Sequence, residues 1–292
     1  MSSHPSAVAE PTGSSGQVSY LDRLTARISA VGTTLCLGVD PDPDSLPAGF
    51  SRDIAGVERF AELLLEAALP RAAAVKFNLA FYEAFGSAGV AALERLRAQV
   101  PRDVPFIADA KRADVASTAA RQAVAIFDAL GADAVTLNPY LGGEALEPFL
   151  SRRDRYGYVL CRTSNPGAAE FQGLNVGGQP LFLAVAQRVA GWAAGGAPVG
   201  LVVGATAPAE LAQVRAEAPG LPFLVPGLGA QGGDAGAVLA AGPVTAGAAT
   251  QTRGGALLVN VSRGIASAAD GSTDAHAALS AATERWASML RC

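Results

Sequence analysis

Short apolar strands and amphipathic helices alternate eight times along the chain, and this repeat is the feature that most limits its fold. The predicted strands are continuous apolar runs, which is typical of parallel strands buried on both faces. They are Thr34–Val39, Ala73–Phe77, Val104–Ala108, Ala134–Leu137, Tyr158–Cys161, Val199–Val203, Phe223–Val225 and Ala256–Asn260. Eight strand–helix units in about 250 residues predict an α/β protein, a (β/α)8 TIM barrel. The alternative is a doubly wound open sheet, but the sequence lacks the glycine fingerprint that such a fold carries after its first strand.

Helices are predicted between the strands, and a short amphipathic helix precedes the first strand. The predicted helices are Tyr20–Ala30, a segment through Phe60–Leu65, Val90–Val100, about Ala113–Leu130, Glu144–Leu150, Leu181–Ala194, Ala209–Glu217, Ala235–Ala241 and Ala275–Leu290. No domain boundary interrupts the repeat, so we expect residues 18–292 to form one barrel domain. Residues 1–17 are rich in Ser, Gly and Pro, and we expect them to be a disordered tail.

Composition excludes several classes of function. The net charge is −4, so no basic surplus is present to bind nucleic acid. The longest charge-free stretch, Val189–Ala209, is interrupted by Gly and Pro, so we expect no membrane span. The three cysteines form no CxxC pair, which predicts neither a disulfide framework nor a zinc site. No signal peptide is evident at the start, and we expect a cytoplasmic protein.

Histidine and lysine are both scarce, which narrows the chemistry. The two histidines, His4 and His276, lie near the termini, so a histidine base or a histidine-bound metal is not expected. Of 22 basic residues only Lys76 and Lys111 are lysines. Unlike a guanidinium group, an ammonium group is compact and can release a proton, so these two positions are candidates for catalysis.

Both lysines fall where a predicted strand ends, and in a parallel barrel the active site lies at these carboxyl ends. Asp109 and Lys111 alternate with Ala110, so we expect both side chains to point into the barrel mouth. Lys111 is flanked in sequence by Asp109 and Asp114, which would keep it protonated and allow it to act as a general acid. A purely structural ion-pair network is the alternative.

The loops after strands 7 and 8 resemble a phosphate site. The first contains Gly227, Gly229, Gly232 and Gly233, whose backbone N–H groups can approach an anion closely. The second contains Ser262, Arg263 and Gly264, and a guanidinium group can bind phosphate with two hydrogen bonds. Phosphate commonly binds at these two loops of the barrel. The alternative is ordinary turn glycines beside a surface arginine.

The segment Asp109–Thr118, DAKRADVAST, resembles the DxKxxDxxxT signature of the orotidine 5′-phosphate decarboxylases. It is similar to the longer subclass of that family, which carries KR in the motif. Other segments also resemble the family and occur in the expected order: LGVDP at Leu37, VKFN at Val75, LNPY at Leu137, TSNP at Thr163, PGLGAQGG at Pro226 and NVSRG at Asn260. The resemblance extends from about Tyr20 to the end of the chain.

This resemblance implies that orotidine 5′-monophosphate loses CO2 to give UMP, the last step of de novo UMP synthesis, with no metal and no organic cofactor. It implies a catalytic charge array of alternating sign formed by Lys76, Asp109, Lys111 and Asp114. In this array Lys111 would be the proton donor to C6 of the pyrimidine. The remaining implied roles are ribose binding by Asp40 and Lys76, binding of the pyrimidine edge by Ser164, and phosphate binding by Gln231, Ser262 and Arg263.

The resemblance also implies a homodimer with shared active sites, in which Asp114 and Thr118 reach into the site of the partner. The two residues are four apart, so we expect them to share one face of the helix after strand 3. The alternative is that Asp114 caps its own helix, because Asp is favoured at helix starts.

Two other functions remain to be separated from decarboxylation of orotidylate. A metal-dependent sugar-phosphate decarboxylase or aldolase would need further carboxylates at the strand ends, but strands 2 and 4 offer Lys76 and Asn138. A non-catalytic nucleotide-binding barrel would bind UMP without consuming orotidylate.

Overall fold

The computed structural model describes residues 18–229, 233–241 and 257–292, and most of its strands belong to one sheet. Its strands, in chain order, are β1 (Leu35–Val39), β2 (Ala74–Asn78), β3 (Phe106–Arg112), β4 (Ala134–Leu137), β5 (Tyr156–Arg162), β6 (Asn175–Val176), β7 (Gln179–Pro180), β8 (Val199–Val203), β9 (Phe223–Pro226) and β10 (Leu257–Val261).

The sheet closes into a barrel in the order β1-β10-β9-β8-β5-β4-β3-β2. Every neighbouring pair in this order is parallel. The predicted (β/α)8 barrel is therefore confirmed. The short antiparallel hairpin of β6 and β7 was not predicted, and it turns at Gly177 and Gly178, both at positive φ. Glycine is favoured at two-residue hairpin turns because it adopts positive φ without a steric cost.

Helices surround the barrel and follow most of its strands. They are α1 (Tyr20–Val31), α2 (Ile54–Ala68), α3 (Ala80–Glu83), α4 (Gly86–Gln99), α5 (Ala116–Ala123), α6 (Glu147–Leu150), α7 (Ala169–Gln172), α8 (Leu181–Ala194), α9 (Pro208–Glu217), α10 (Ala235–Ala241), α11 (Arg263–Ala266) and α12 (Ala275–Met289). A π-helical segment, Val124–Ala129, extends α5. Within the described ranges, no helix is both long enough and apolar enough to cross a membrane.

The lead-in helix α1 closes the barrel at the amino-terminal ends of the strands. Tyr20, Leu24 and Ile28 are buried against the barrel interior, and the hydroxyl of Tyr20 lies 3.1 Å from that of Tyr158. Arg23 forms an ion pair at 2.5 Å with the buried carboxylate of Asp133, which directly precedes β4. Burial of each large apolar side chain contributes about 1.5–3 kcal/mol to stability, and this holds α1 against the barrel. The helix therefore covers the amino-terminal end of the barrel, and the carboxyl end stays open.

Candidate active site

A cleft of about 730 Å3 opens at the carboxyl end of the barrel, where the sequence places most of its polar strand-end residues. Its volume is in the range that small-molecule ligands occupy. Residues from the ends of β1, β2, β3, β5, β9 and β10 line it. Six of the predicted site residues meet there: Asp40, Lys76, Asp109, Ser164, Ser262 and Arg263.

Charges of alternating sign run across one side of this cleft. The ammonium of Lys76 lies 3.6 Å from Asp40 Oδ1 and 3.0 Å from Asp109 Oδ2. The ammonium of Lys111 lies 2.7 Å from the other oxygen of Asp109, Oδ1. The backbone N–H of Asn78 also donates to Asp40 Oδ1, at 3.0 Å, and so fixes this carboxylate at the end of β1. Four charged groups from three strands thus form one continuous array.

The array keeps its buried members charged. Burial alone would raise the pKa of Asp109, but the ammonium groups of Lys76 and Lys111 outweigh it and hold this pKa well below its usual range. Burial alone would lower the pKa of Lys76, whose side chain is only 4% exposed. The carboxylates of Asp109 and Asp40 reverse that effect and raise the pKa above its ordinary value. Neither group changes its charge near neutral pH.

The backbone conformation that brings Lys111 to the array differs from the predicted one. The prediction that Asp109 and Lys111 alternate along a regular extended strand is wrong, because the pairing of β3 with β4 shifts register between Ala108 and Arg112. At this bulge Lys111 has a φ of 48°, which is unusual for a residue other than glycine. Its side chain still contacts Asp109, and it remains about half exposed.

Asp114 and Thr118 do not lie on one helical face as predicted. The strand β3 continues to Arg112 and α5 begins only at Ala116, so Asp114 lies in the connection before the helix. Its Oδ1 accepts the N–H of Val115 at 2.7 Å, and no side chain caps α5. Neither residue lines the cleft of its own chain, and Lys111 does not line it either. Within the described residues, Asp109 is the carboxylate that pairs with Lys111.

The far end of the cleft is built from the two loops that were predicted to hold phosphate. Gly227 and Gly229 adopt positive φ, and a Cβ at Gly229 would lie 3.3 Å from the Cα of Gly264, so the loops pack closely. The indole N–H of Trp286 donates to the carbonyl of Gly264 at 2.9 Å and holds the second loop. Among the described residues, no carboxylate forms an ion pair with Arg263. Gln231 and Gly232, which were predicted to belong to the first of these loops, lie outside the described residues.

Ser164 follows β5 and is held beside the end of β8. A Cβ at Gly204 would lie only 2.8 Å from the backbone nitrogen of Ser164, so only glycine permits this approach. The hydroxyl of Thr206 donates to the carbonyl of Ser164 at 3.3 Å. On the other side, the amide oxygen of Gln172 accepts the N–H of Thr163 at 2.8 Å. These contacts fix the loop that carries the Ser164 hydroxyl.

The cleft has an anion-binding end, and Lys111 contacts the cleft through Asp109, which lines it, although Lys111 is not itself a lining residue. The Lys111 ammonium is about half exposed, and it is oriented by a carboxylate that stays ionised. Such a group can transfer a proton to a carbanion formed beside it. In the described part of the chain, no group of three or more His, Cys, Asp or Glu residues is arranged to hold a metal ion.

Comparison with known proteins agrees with this geometry. The family model described as "Orotidine 5'-phosphate decarboxylase / HUMPS family" matches residues 33–278, which include the whole array and both glycine loops. The chain belongs to this family. A curated relative, the orotidine 5′-phosphate decarboxylase of Thermomicrobium roseum, is 49% identical over 250 residues, which cover 85% of this chain and 86% of the relative.

Solved structures of family members share the fold over nearly the whole chain. The OMP decarboxylase of Leishmania donovani superposes with a TM-score of 0.78 at 40% identity, covering 93% of this chain and 99% of that chain. The UMP synthase of the same organism gives a TM-score of 0.79 at 42% identity, but this chain covers only 56% of it.

Two residues of the site were not among the predicted ones. Asn78 holds Asp40 through its backbone N–H, a contact that side-chain chemistry cannot reveal in a sequence. Thr136 lies in the middle of β4 and its hydroxyl contacts Asp109 at 2.8 Å. The only signal for Thr136 is a hydroxyl inside the otherwise apolar run Ala134–Leu137, since a buried polar group needs a hydrogen-bond partner.

Proposed function

We propose that this chain decarboxylates orotidine 5′-monophosphate to UMP and CO2, a reaction of pyrimidine biosynthesis. The observation that carries the proposal is the position of the Lys111 ammonium, 2.7 Å from an ionised, largely buried carboxylate at the mouth of the barrel. The anion-binding loops at the other end of the same cleft suit a nucleotide monophosphate. Membership of the family and its relatives' names support the same substrate.

At the reaction centre, the bond between C6 and the carboxylate carbon breaks and its electron pair remains on C6. The Lys111 ammonium stabilises this developing charge and then donates its proton to C6, leaving a neutral amine that regains a proton from water. Asp109 holds the Lys111 ammonium in place through their contact at 2.7 Å. Its negative charge also disfavours the substrate carboxylate but not neutral CO2, and this difference lowers the barrier.

The other residues bind the nucleotide. Asp40 and Lys76 hold the ribose hydroxyls, and Ser164 binds the edge of the pyrimidine. Arg263, Ser262 and the backbone of the Gly227–Gly229 loop bind the phosphate, together with Gln231. The phosphate lies far from C6, so its binding energy orients the substrate without taking part in the bond cleavage.

The active form is a homodimer that shares its sites, and Asp114 and Thr118 of each chain complete the site of the partner. In support, Lys111 pairs with Asp109 and not with Asp114 among the described residues of its own chain. Large apolar side chains are exposed on the neighbouring loops after β3, β4 and β5: Val115, Tyr140, Leu141, Phe171 and Leu174. An exposed apolar surface of this kind is typical of a protein–protein interface.

A direct assay tests the reaction. Purified protein is mixed with orotidylate, and the loss of orotidylate absorbance is followed with and without excess EDTA. We expect consumption at the same rate in both samples and formation of UMP. A rate that EDTA abolishes would favour the metal-dependent sugar-phosphate class of mechanism. Binding of UMP with no consumption of orotidylate would favour the non-catalytic nucleotide-binding barrel.

A further inference from the structure

The hydroxyl of Thr136 lies beside the charge array and makes three hydrogen bonds to β3. It accepts the backbone N–H groups of Ala110 and Lys111, both at 3.0 Å, and donates to Asp109 Oδ1 at 2.8 Å. A hydroxyl offers one donor and two acceptor sites, so these three bonds use all of them. The residue is 2% exposed, so water does not replace these partners.

The bulge in β3 depends on this oxygen. In a regular strand, the N–H groups of successive residues point to opposite sides, so they cannot meet one acceptor. Here the N–H groups of Ala110 and Lys111 converge on Thr136 because the chain turns at Lys111, where φ is 48°. A residue other than glycine keeps such a conformation only when its surroundings hold it there. Thr136 supplies the acceptor for both N–H groups.

The same hydroxyl orients the carboxylate that faces Lys111. Asp109 receives three donors: the ammonium of Lys76 on Oδ2, and the ammonium of Lys111 and the hydroxyl of Thr136 on Oδ1. Thr136 is the uncharged member of this set, and it alone among the three contacts both the carboxylate and the backbone of Lys111. It therefore couples the position of the proton donor to the position of its partner.

We propose that Thr136 is a positioning residue for the decarboxylation, holding the backbone of Lys111 and the carboxylate of Asp109 in the geometry that proton transfer requires. The inference rests on the proposed function. It assigns no contact with the nucleotide to Thr136. Loss of the hydroxyl should therefore slow the chemical step and leave binding of the nucleotide largely unchanged.

Three variants test this assignment. Thr136→Val keeps the shape but removes the hydroxyl, and we expect kcat to fall by about 10- to 100-fold, the scale of a small misplacement of reacting groups. The KM for orotidylate and the Kd for UMP should change less than about threefold, because Asp40 and Arg263 are untouched. Thr136→Ser keeps the hydroxyl and should restore kcat to within about threefold of the wild type.

Thr283→Val is the matched control. The hydroxyl of Thr283 is also buried, but it donates to the carbonyl of Leu279 in α12, away from the cleft. Its loss should lower the thermal midpoint without lowering kcat. If Thr136→Val does not fold, Thr136→Ala takes its place with the same expected loss of kcat.

A folded Val or Ala variant with kcat within about threefold of the wild type would overturn the assignment. So would a Ser variant as slow as the Val variant, or a loss that lies in the Kd for UMP. The wild-type assay distinguishes failure of this assignment from failure of the proposed function. A wild type that consumes no orotidylate would contradict the proposed function alone. A crystal structure of Thr136→Val then gives an independent readout. The assignment requires Lys111 to leave its positive φ, and an unchanged bulge would contradict it.

Discussion

A mixture of two inactive variants should recover activity if the active site is shared between chains. Among the described residues of one chain, Lys111 forms an ion pair with Asp109 but not with Asp114. In a two-fold dimer, each site would then combine Lys111 of one chain with Asp114 of the other. Asp114→Ala and Lys111→Ala should each be nearly inactive alone, because each removes a charge from every site.

In a mixed dimer of these variants, one site carries both defects and the other carries neither. Random exchange between equal amounts makes about half of the dimers mixed, and each has one intact site of two, so the pool should regain about a quarter of wild-type activity. The assay is the initial rate of orotidylate loss after subunit exchange. Co-purification of differently tagged chains verifies that exchange has occurred.

Asp109→Ala mixed with Lys111→Ala is the matched control. These two residues touch within one chain, so every site of the mixed dimer keeps one defect and no activity should return. If exchange is verified and the Asp114→Ala mixture also stays inactive, Asp114 serves its own chain and the shared-site reasoning is wrong.

Three further predictions concern the array and the phosphate end. Lys111→Arg should not rescue the loss of about 10³-fold or more in kcat expected for Lys111→Ala, because guanidinium is a poor acid; near-normal turnover by the arginine variant would contradict the assigned role. Arg263→Ala should weaken UMP binding by about 2–3 kcal/mol but leave uridine binding almost unchanged in titration calorimetry; an equal loss for uridine would show that Arg263 acts elsewhere. Because the folded-state pKa of Asp109 lies below its ordinary value, its stabilising effect is complete above about pH 5 and is lost as pH falls. The free energy of urea unfolding should therefore drop from pH 5 to pH 3 more in the wild type than in Asp109→Asn, and equal drops would contradict the ion pairs.

The barrel and most of its site could be predicted because their signals are local in the sequence. Each buried parallel strand is a continuous apolar run, and the polar residue that follows it lies at the carboxyl end by the geometry of the fold. This reasoning brings Asp40, Lys76, Asp109 and Arg263 to one cleft, as the structure does. The two lysines stand out for the same reason, since both occur at such strand ends.

The geometry around Lys111 could not be predicted, because its cause lies on another strand. At the bulge, the backbone N–H of Lys111 donates to the Thr136 hydroxyl, which is 25 residues away along the chain. A regular strand is the only local expectation, and it leads to the wrong dihedral angle at Lys111. The helix α5 also begins later than predicted, because β3 continues to Arg112 and leaves Asp114 in the connection before the helix.

The origin of the proton at C6 tests the central claim most directly. Orotidylate is turned over in D2O by the wild type and by Lys111→Ala, and the UMP is analysed by mass spectrometry and proton NMR. We expect the wild type to release one CO2 for each UMP and to place one deuterium at C6, delivered by the exchanged Lys111 ammonium, while the variant forms almost no UMP. Rapid formation of C6-deuterated UMP by Lys111→Ala, or a wild type that binds UMP yet releases no CO2, would contradict the account.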